Sequence, residues 1–334
     1  MTTRLHRRAV LGGAATLGFG LASIHTAKAQ NPTIRLSGPM TPTDQRALAL
    51  VEVFGPAIQS FATFQPHWNA TLFRQGTELE AIARGNLEMS VTSPQELATL
   101  IPGWSIFTAG YLLRDAEHQQ KVFADPLLND LKTLTENRLN VKLLSVMYLG
   151  RRQINLRMER SQREIRTPAD MSGVRLRMPN TEAWLFLGRA LGANPLPLAF
   201  TEIYTALQTG AIDGQDNPLP TNRDSKFYEV TKQIVLTSHL VDQNYLAISK
   251  RAYDRFTPDQ RAAIDKAAAD TAALARRRQL ALEAELEAYF RQQGLAVYTP
   301  DVDAFRRTVQ AAYLSSNFAR DWTAGMVDRV NAIR

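Results

Sequence analysis

Apolar and polar positions along this chain keep two rhythms, and they trade places many times. A period of two marks short strands. Ile34 and Leu36 share a face within Thr33 to Ser37; Val174, Leu176 and Met178 share another, with Arg175 and Arg177 opposite, before Pro179 ends the ladder. Val141 to Val146 reads as a buried strand, and Asn244 to Ser249 as an alternating one. A period near 3.6 predicts a helix from about Thr43 to Phe61, with Leu48, Val51, Phe54 and Ile58 facing the core. The same spacing predicts one from Ala116 to Asn137, carried by Val122, Phe123, Leu127, Leu128, Leu131 and Leu134. Capping signals punctuate the rest: Thr77 with Glu80, Ser93-Pro94 with Glu96, Thr167-Pro168 with Asp170, and Thr257-Pro258 with Gln260. The last opens a run to about Gln293 with no further Gly or Pro, long against the 11 to 12 residues typical of a globular helix.

The stretch from Gly173 to Asn217 concentrates the chemistry. Its strand delivers Arg177 to an end; a helix capped at Asn180 or Thr181 runs to Gly192, a second capped at Thr201 runs to Gly210, and Ala211 and Ile212 lead into the polar turn Asp213 to Pro218. Strand, helix, strand, helix, strand predicts a parallel sheet, and the strand ends of such sheets form ligand crevices. A guanidinium fork beside an amide, Arg177 with Asn217, suits a carboxylate, because Arg binds two oxygens in one plane and Asn donates or accepts beside it. Read on periodicity alone, an arginine in a strand is more often a solvated or structurally paired side chain than a ligand contact.

Composition narrows the class. With 45% hydrophobic and 21% charged residues over 334 positions the chain is an ordinary globular protein, large enough for two cores. The net charge of +7 is inflated by residues 1–29, which hold Arg4, Arg7, Arg8 and Lys28 and no acid. Without an aromatic-interleaved basic patch, nucleic acid is not an expected partner. Those residues read as a leader: a basic start, an apolar stretch from Ala9 to Ile24 too short to span a bilayer, and Ala27-Lys28-Ala29 as the cleavage site. Arg7-Arg8 before Ala9, Val10 and Leu11 resembles a twin-arginine signal, which implies export to the periplasm. The absence of cysteine excludes disulfides, thiol catalysis and thiolate metal sites.

No Gly-x-Ser-x-Gly, His-Glu-x-x-His or Ser-x-x-Lys pattern occurs, and His67, His118 and His239 stand alone, so an enzyme is not expected. Asp213, Asp216 and Asp242 lack the spacing of a cation loop, and neither metal nor cofactor is expected. The helix start at Ser93 would favour an anionic ligand if it faces a cleft, which makes Ser93 and Gln95 candidates while Glu96 reads as an ordinary cap.

Gly173 to Pro179, and Glu202 to Asn217 with its Glu-x-Tyr-x-Ala-Leu-Gln and Asp-Gly-Gln-Asp-Asn elements, resemble the substrate-binding proteins of tripartite ATP-independent periplasmic (TRAP) transporters, which include dicarboxylate and sialic-acid binders. Asp216 stands where that family usually has Glu. The resemblance implies an α/β, two-lobe periplasmic-binding-protein fold with a ligand cleft, crossing hinge strands and a long helix spanning both lobes. The implied division is lobe I at 31–149 plus 243–282 and lobe II at 150–242 plus 283–334. It implies a receptor for a small organic acid that hands its ligand to a TRAP-type permease, and a monomer is expected. By the same match a turn at Tyr148 to Gln153 opens the second lobe and its Arg152 joins the carboxylate site. The expected ligand set is then Arg177, Arg152, Asn217, Asp216, Ser93 and Gln95, with Asp242, Gln243 and Asn244 solvated near the second crossing. Trp184 or Tyr245 would admit an aromatic acid if either lines the cleft. Two rivals remain at this level: a secreted enzyme acting on a small anionic substrate, and a ligand-sensing partner of a receptor kinase.

Overall fold

The computed structural model describes residues 31–334; the leader, with its two arginines, lies outside them. Nine strands among the described residues form one mixed sheet. In chain order they are β1 (Thr33–Ser37), β2 (Thr63–His67), β3 (Met89–Thr92), β4 (Val141–Leu156), β5 (Arg175–Met178), β6 (Asn194–Pro197), β7 (Gly214–Pro218), β8 (Gln233–Ser249) and β9 (Ala296–Tyr298). The order across the sheet is β2-β1-β3-β8-β4-β7-β5-β6, with β9 against the start of β8.

This order makes two wings on a shared spine. β4 and β8 are antiparallel and pair from Val141 with Ser249 to Leu156 with Gln233. At one end of this ribbon β1, β2 and β3 run parallel to one another, with β3 on β8 through Met89 and Ile248. At the other end β7 pairs with β4, and β5 and β6 extend the sheet in parallel. The expected parallel unit from β5 to β7 is present. The sequence had broken the spine into separate strands with a turn at Tyr148 to Gln153; instead β4 runs unbroken for 16 residues and β8 for 17. Gly150 replaces that turn with a bulge, where the register slips between Tyr148 and Gly150. Its φ is +126°, and a Cβ there would lie 2.6 Å from Pro218 and 2.7 Å from Glu283. Only glycine fits both the dihedral and the space.

The helix Pro258–Gln292 runs 35 residues, opened by the expected Thr257–Gln260 capping box. At 1.5 Å per residue it is about 50 Å long. Its first half buries Ile264, Ala268 and Ala275 in a core with Leu36, Phe54, Met89 and Ile248, and its second half buries Leu286 and Phe290 with Leu219, Ile234 and Leu295. Between the two, Glu283 accepts hydrogen bonds from the Tyr148 hydroxyl and the Arg151 amide, both at 2.6 Å, and Gln279 donates to the Leu149 carbonyl. The helix is thus pinned to the spine at its bulge. The largest apolar cluster runs from Trp104 through Leu176 and Leu187 to Phe305. Each such aliphatic side chain contributes roughly 1.5–3 kcal/mol by leaving water.

Several local expectations fail for identifiable reasons. In the first helix Ala47, Leu50, Phe54 and Ile58 take the inward positions, and Val51 is exposed; a π-helical turn occupies Leu50–Phe54. The stretch from Ala116 breaks at Asp125-Pro126 into helices Ala116–Ala124 and Asn129–Leu139, because Pro126 has no N–H to continue the ladder, and Leu134 turns outward. Thr77 precedes its helix but its hydroxyl donates to the Arg74 carbonyl rather than capping. Thr201 is no cap either: a tight turn at Phe200–Glu202 leads into the helix Ile203–Thr209.

Candidate ligand-binding site

β5 carries the central side chain. Its neighbours on both edges, Gln215 of β7 and Leu196 of β6, enclose Arg177 in mid-sheet, and only 1% of the residue is exposed. Nε donates to the Leu198 carbonyl at 2.9 Å, but Nη2 is buried with no hydrogen-bond partner. Burial, reinforced by the nearby charge of Arg152, pulls the Arg177 pKa down to about 9. A guanidinium in this state lacks an anion.

A chamber opens beside it, walled by Arg177, Arg152, Arg46, Asn217, Ser93, Glu96, Trp184, Asp242, Asn244 and Gln75, among others. The other two arginines are already neutralised. Arg46 grips Asp44 with Nε and Nη2 at 2.9 and 2.7 Å and donates to Asn244. Arg152 donates from Nε to Asp216 and from Nη1 to Asp242, each at 2.6 Å, and lies over the Trp184 ring with Cζ 4.4 Å from the centroid. Burial would raise the Asp216 carboxyl, but Arg152 and His239 hold it well below the usual range; at Asp242 burial prevails and pushes the pKa up despite Arg152. His239 bridges Asp216 at 3.1 Å and Thr237 at 2.8 Å, a satisfied histidine as expected.

Asn217 is oriented by an amide chain. Its Nδ2 donates to Gln215 Oε1 at 2.5 Å, and Gln215 Nε2 donates in turn to Asn155 and Asn222 at 3.1 and 2.7 Å. Ser93 keeps its cap: Glu96 N donates to its hydroxyl, and Glu96 Oε2 accepts from Ser93 N at 2.8 Å and Thr92 Oγ1 at 3.0 Å. The Glu96 carboxylate therefore occupies the helix start that the sequence offered to an anion. Burial raises the pKa of Glu96, and that of Glu78 to about 8, where the Glu96 charge adds to burial.

Of the six expected ligand residues, Arg177, Arg152, Asn217 and Ser93 line the chamber. Asp216 stands behind Arg152 as its counter-ion, and Gln95 is fully buried outside the lining with its amide unpartnered. Arg152 does not bring spare charge, since two carboxylates share it. Sequence reasoning missed Arg46, Gln75 and Glu96, and it left Asp242 and Asn244 to solvent although both line the chamber and Asp242 is buried. The usable signal was arithmetic: a second buried arginine needs a carboxylate that the motif block alone did not supply twice. Tyr245 packs on Trp104 and Phe123 and takes no part, and the face of Trp184 is covered by Arg152.

The family model described as DctP, bacterial extracellular solute-binding protein, family 7, matches residues 39–320. The sialic acid-binding periplasmic protein SiaP of Vibrio cholerae is 30% identical over 235 residues, 70% of this chain and 72% of that one. The 2,3-diketo-L-gulonate-binding periplasmic protein YiaO of Escherichia coli is 27% identical over 244 residues, 72% of this chain and 73% of its own. Among solved structures, a TRAP periplasmic solute binding protein from Roseobacter denitrificans with bound 3-deoxy-D-manno-oct-2-ulosonic acid shares 55% identity and a TM-score of 0.91, covering 91% of this chain and 100% of that one. A second protein from Roseobacter denitrificans, with bound L-galactonate, shares 25% identity and a TM-score of 0.81, covering 91% and 99%.

Proposed function

The chain belongs to bacterial extracellular solute-binding protein family 7, the solute-binding proteins of TRAP transporters, and from that premise we propose that it is a non-catalytic periplasmic receptor for a polyhydroxylated sugar acid. The observation that carries the reading is Arg177: a buried guanidinium with a free Nη2, in a chamber whose other two arginines are already paired. The ligand carboxylate supplies the missing anion. Asn217, held by Gln215, sets the plane of that carboxylate, while Arg152 presents a polar edge rather than a second charge. Glu96, Asn244 and Gln75 add acceptors and donors suited to hydroxyl groups.

One guanidinium without a counter-ion, Arg177, favours a monocarboxylate with hydroxyls over a dicarboxylate. The sugar acid in the 55% identical Roseobacter denitrificans protein, 3-deoxy-D-manno-oct-2-ulosonic acid, fits that description and is the first ligand to try. Ligand capture accompanies closure of lobe I (31–149 plus 243–282) on lobe II (150–242 plus 283–334) about the β4–β8 spine. The closed form then docks on a TRAP permease, after export by the twin-arginine-type leader of residues 1–29. None of the helices among the described residues is long and apolar enough to cross a membrane.

Calorimetric titration of the leaderless protein with 3-deoxy-D-manno-oct-2-ulosonic acid tests the reading. Saturable binding with one site is expected, lost in Arg177→Ala. Equal affinity in wild type and Arg177→Ala would remove the arginine clamp. Turnover of the acid would replace the receptor with an enzyme.

A further inference from the structure

Beyond the end of β5 the chain turns through Pro179, Asn180 and Thr181, and a second chamber opens there. Gln75, Glu96 and Pro179 wall both chambers, so the two share a partition of three residues. The central chamber encloses about 70 Å³ and the side chamber about 190 Å³. The carboxylate end of the ligand is fixed at Arg177, and Asn180 lies three residues further along, past the end of β5.

The side chamber carries uncommitted polar groups. Among the described residues the Arg74 guanidinium and the Asn180 amide make no hydrogen bond or ion pair, and Gln75 uses only Oε1, which accepts from the Phe200 amide at 3.1 Å. Glu96 takes both of its protein bonds on Oε2, leaving Oε1 without a protein donor. Donors on one side and a carboxylate on the other match a group that both accepts and donates, which a hydroxyl does and an anion does not.

Resting on the sugar-acid reading above, we infer that this side chamber is a tail subsite: it takes the terminal hydroxylated carbons of a long sugar acid and makes the receptor selective for eight-carbon over six-carbon 2-oxo-3-deoxy acids. Arg74 and Asn180 are its specificity-determining residues, and neither takes part in holding the carboxylate.

The test is titration of wild type, Arg74→Ala, Asn180→Phe and Arg177→Ala with 3-deoxy-D-manno-oct-2-ulosonic acid, its 8-phosphate, and the six-carbon 2-keto-3-deoxy-D-gluconate. Arg74 and Asn180 are exposed, so both variants should fold, as melting curves will show. The expected result is that each weakens the eight-carbon acid about tenfold and leaves the six-carbon acid within about twofold. Arg177→Ala abolishes both. Equal weakening of the two acids by Arg74→Ala and Asn180→Phe, or no weakening of either, overturns the tail subsite while leaving the receptor reading intact. Tighter binding of the 8-phosphate than of the parent acid overturns the hydroxyl assignment in favour of a distal anion. Failure of wild type to bind any of the three removes the sugar-acid reading and the subsite together.

Discussion

Asp216 accepts hydrogen bonds from both Nε and Nη2 of Arg152, at 2.6 and 3.0 Å, and so claims the guanidinium that the motif had promised to a ligand. Side-chain exposure is 4% for Arg152 and nil for Asp216, which places the pair where water screens little. The Asp216 carboxylate lies under the arginine and outside the chamber lining.

Breaking that pair leaves an unbalanced buried charge. Asp216→Ala should cost about 3–5 kcal/mol of stability, measured by urea denaturation. An unchanged midpoint would mean that Asp242 alone suffices for Arg152.

Arg177 reverses the sign. Its burial without a counter-ion is a standing cost, so Arg177→Met should raise the melting temperature of the ligand-free protein while abolishing binding. The gain should be on the order of 1–3 kcal/mol, and a destabilised variant would show that the guanidinium is satisfied in some other way.

Glu78 has a pKa near 8 in the folded protein, above its ordinary value of 4.5. A carboxyl with a raised folded pKa holds its proton more tightly when folded. Its contribution is therefore complete below about pH 4.5 and lost as pH climbs toward 8. Stability should fall by up to about 5 kcal/mol across this window, and Glu78→Gln should flatten the slope. Parallel slopes in wild type and variant would exclude Glu78 as the titrating group.

Gly150 tests the spine. An alanine there meets Pro218 and Glu283 and must adopt a φ of +126°, so Gly150→Ala should lose roughly 2 kcal/mol or more in a thermal melt. A melt within one degree of wild type would show that the bulge relaxes freely.

Much of this was legible beforehand, because its causes are local. The caps at Ser93, Thr181 and Thr257 form as spelled, since each needs only a hydroxyl and the next three residues, whereas the Thr167 hydroxyl and amide both donate to the Asp170 carboxylate. The long helix was readable from its unbroken composition, and Arg177 from a strand that ends in proline. What stayed hidden depends on pairing across distance. Nothing near Tyr148 announces that it continues a strand, because the partner that holds it extended lies about a hundred residues away in β8. Asp242 looked like a solvated linker residue for the same reason: its arginine is in another strand. Missing the break at Pro126 was different, for that signal stood in the sequence.

The shared spine also sets a timetable for biosynthesis. The first wing of the sheet begins with β1 and β3, yet it lacks its partner Ile248 and its covering residues Ile264, Ala268 and Ala275 until the ribosome has passed them. The second wing waits longer, for Leu286, Phe290 and Leu295. The first wing can therefore close only after Ala275 has been made and the second only after Leu295, so a message cut before Ile248 leaves both without their partners.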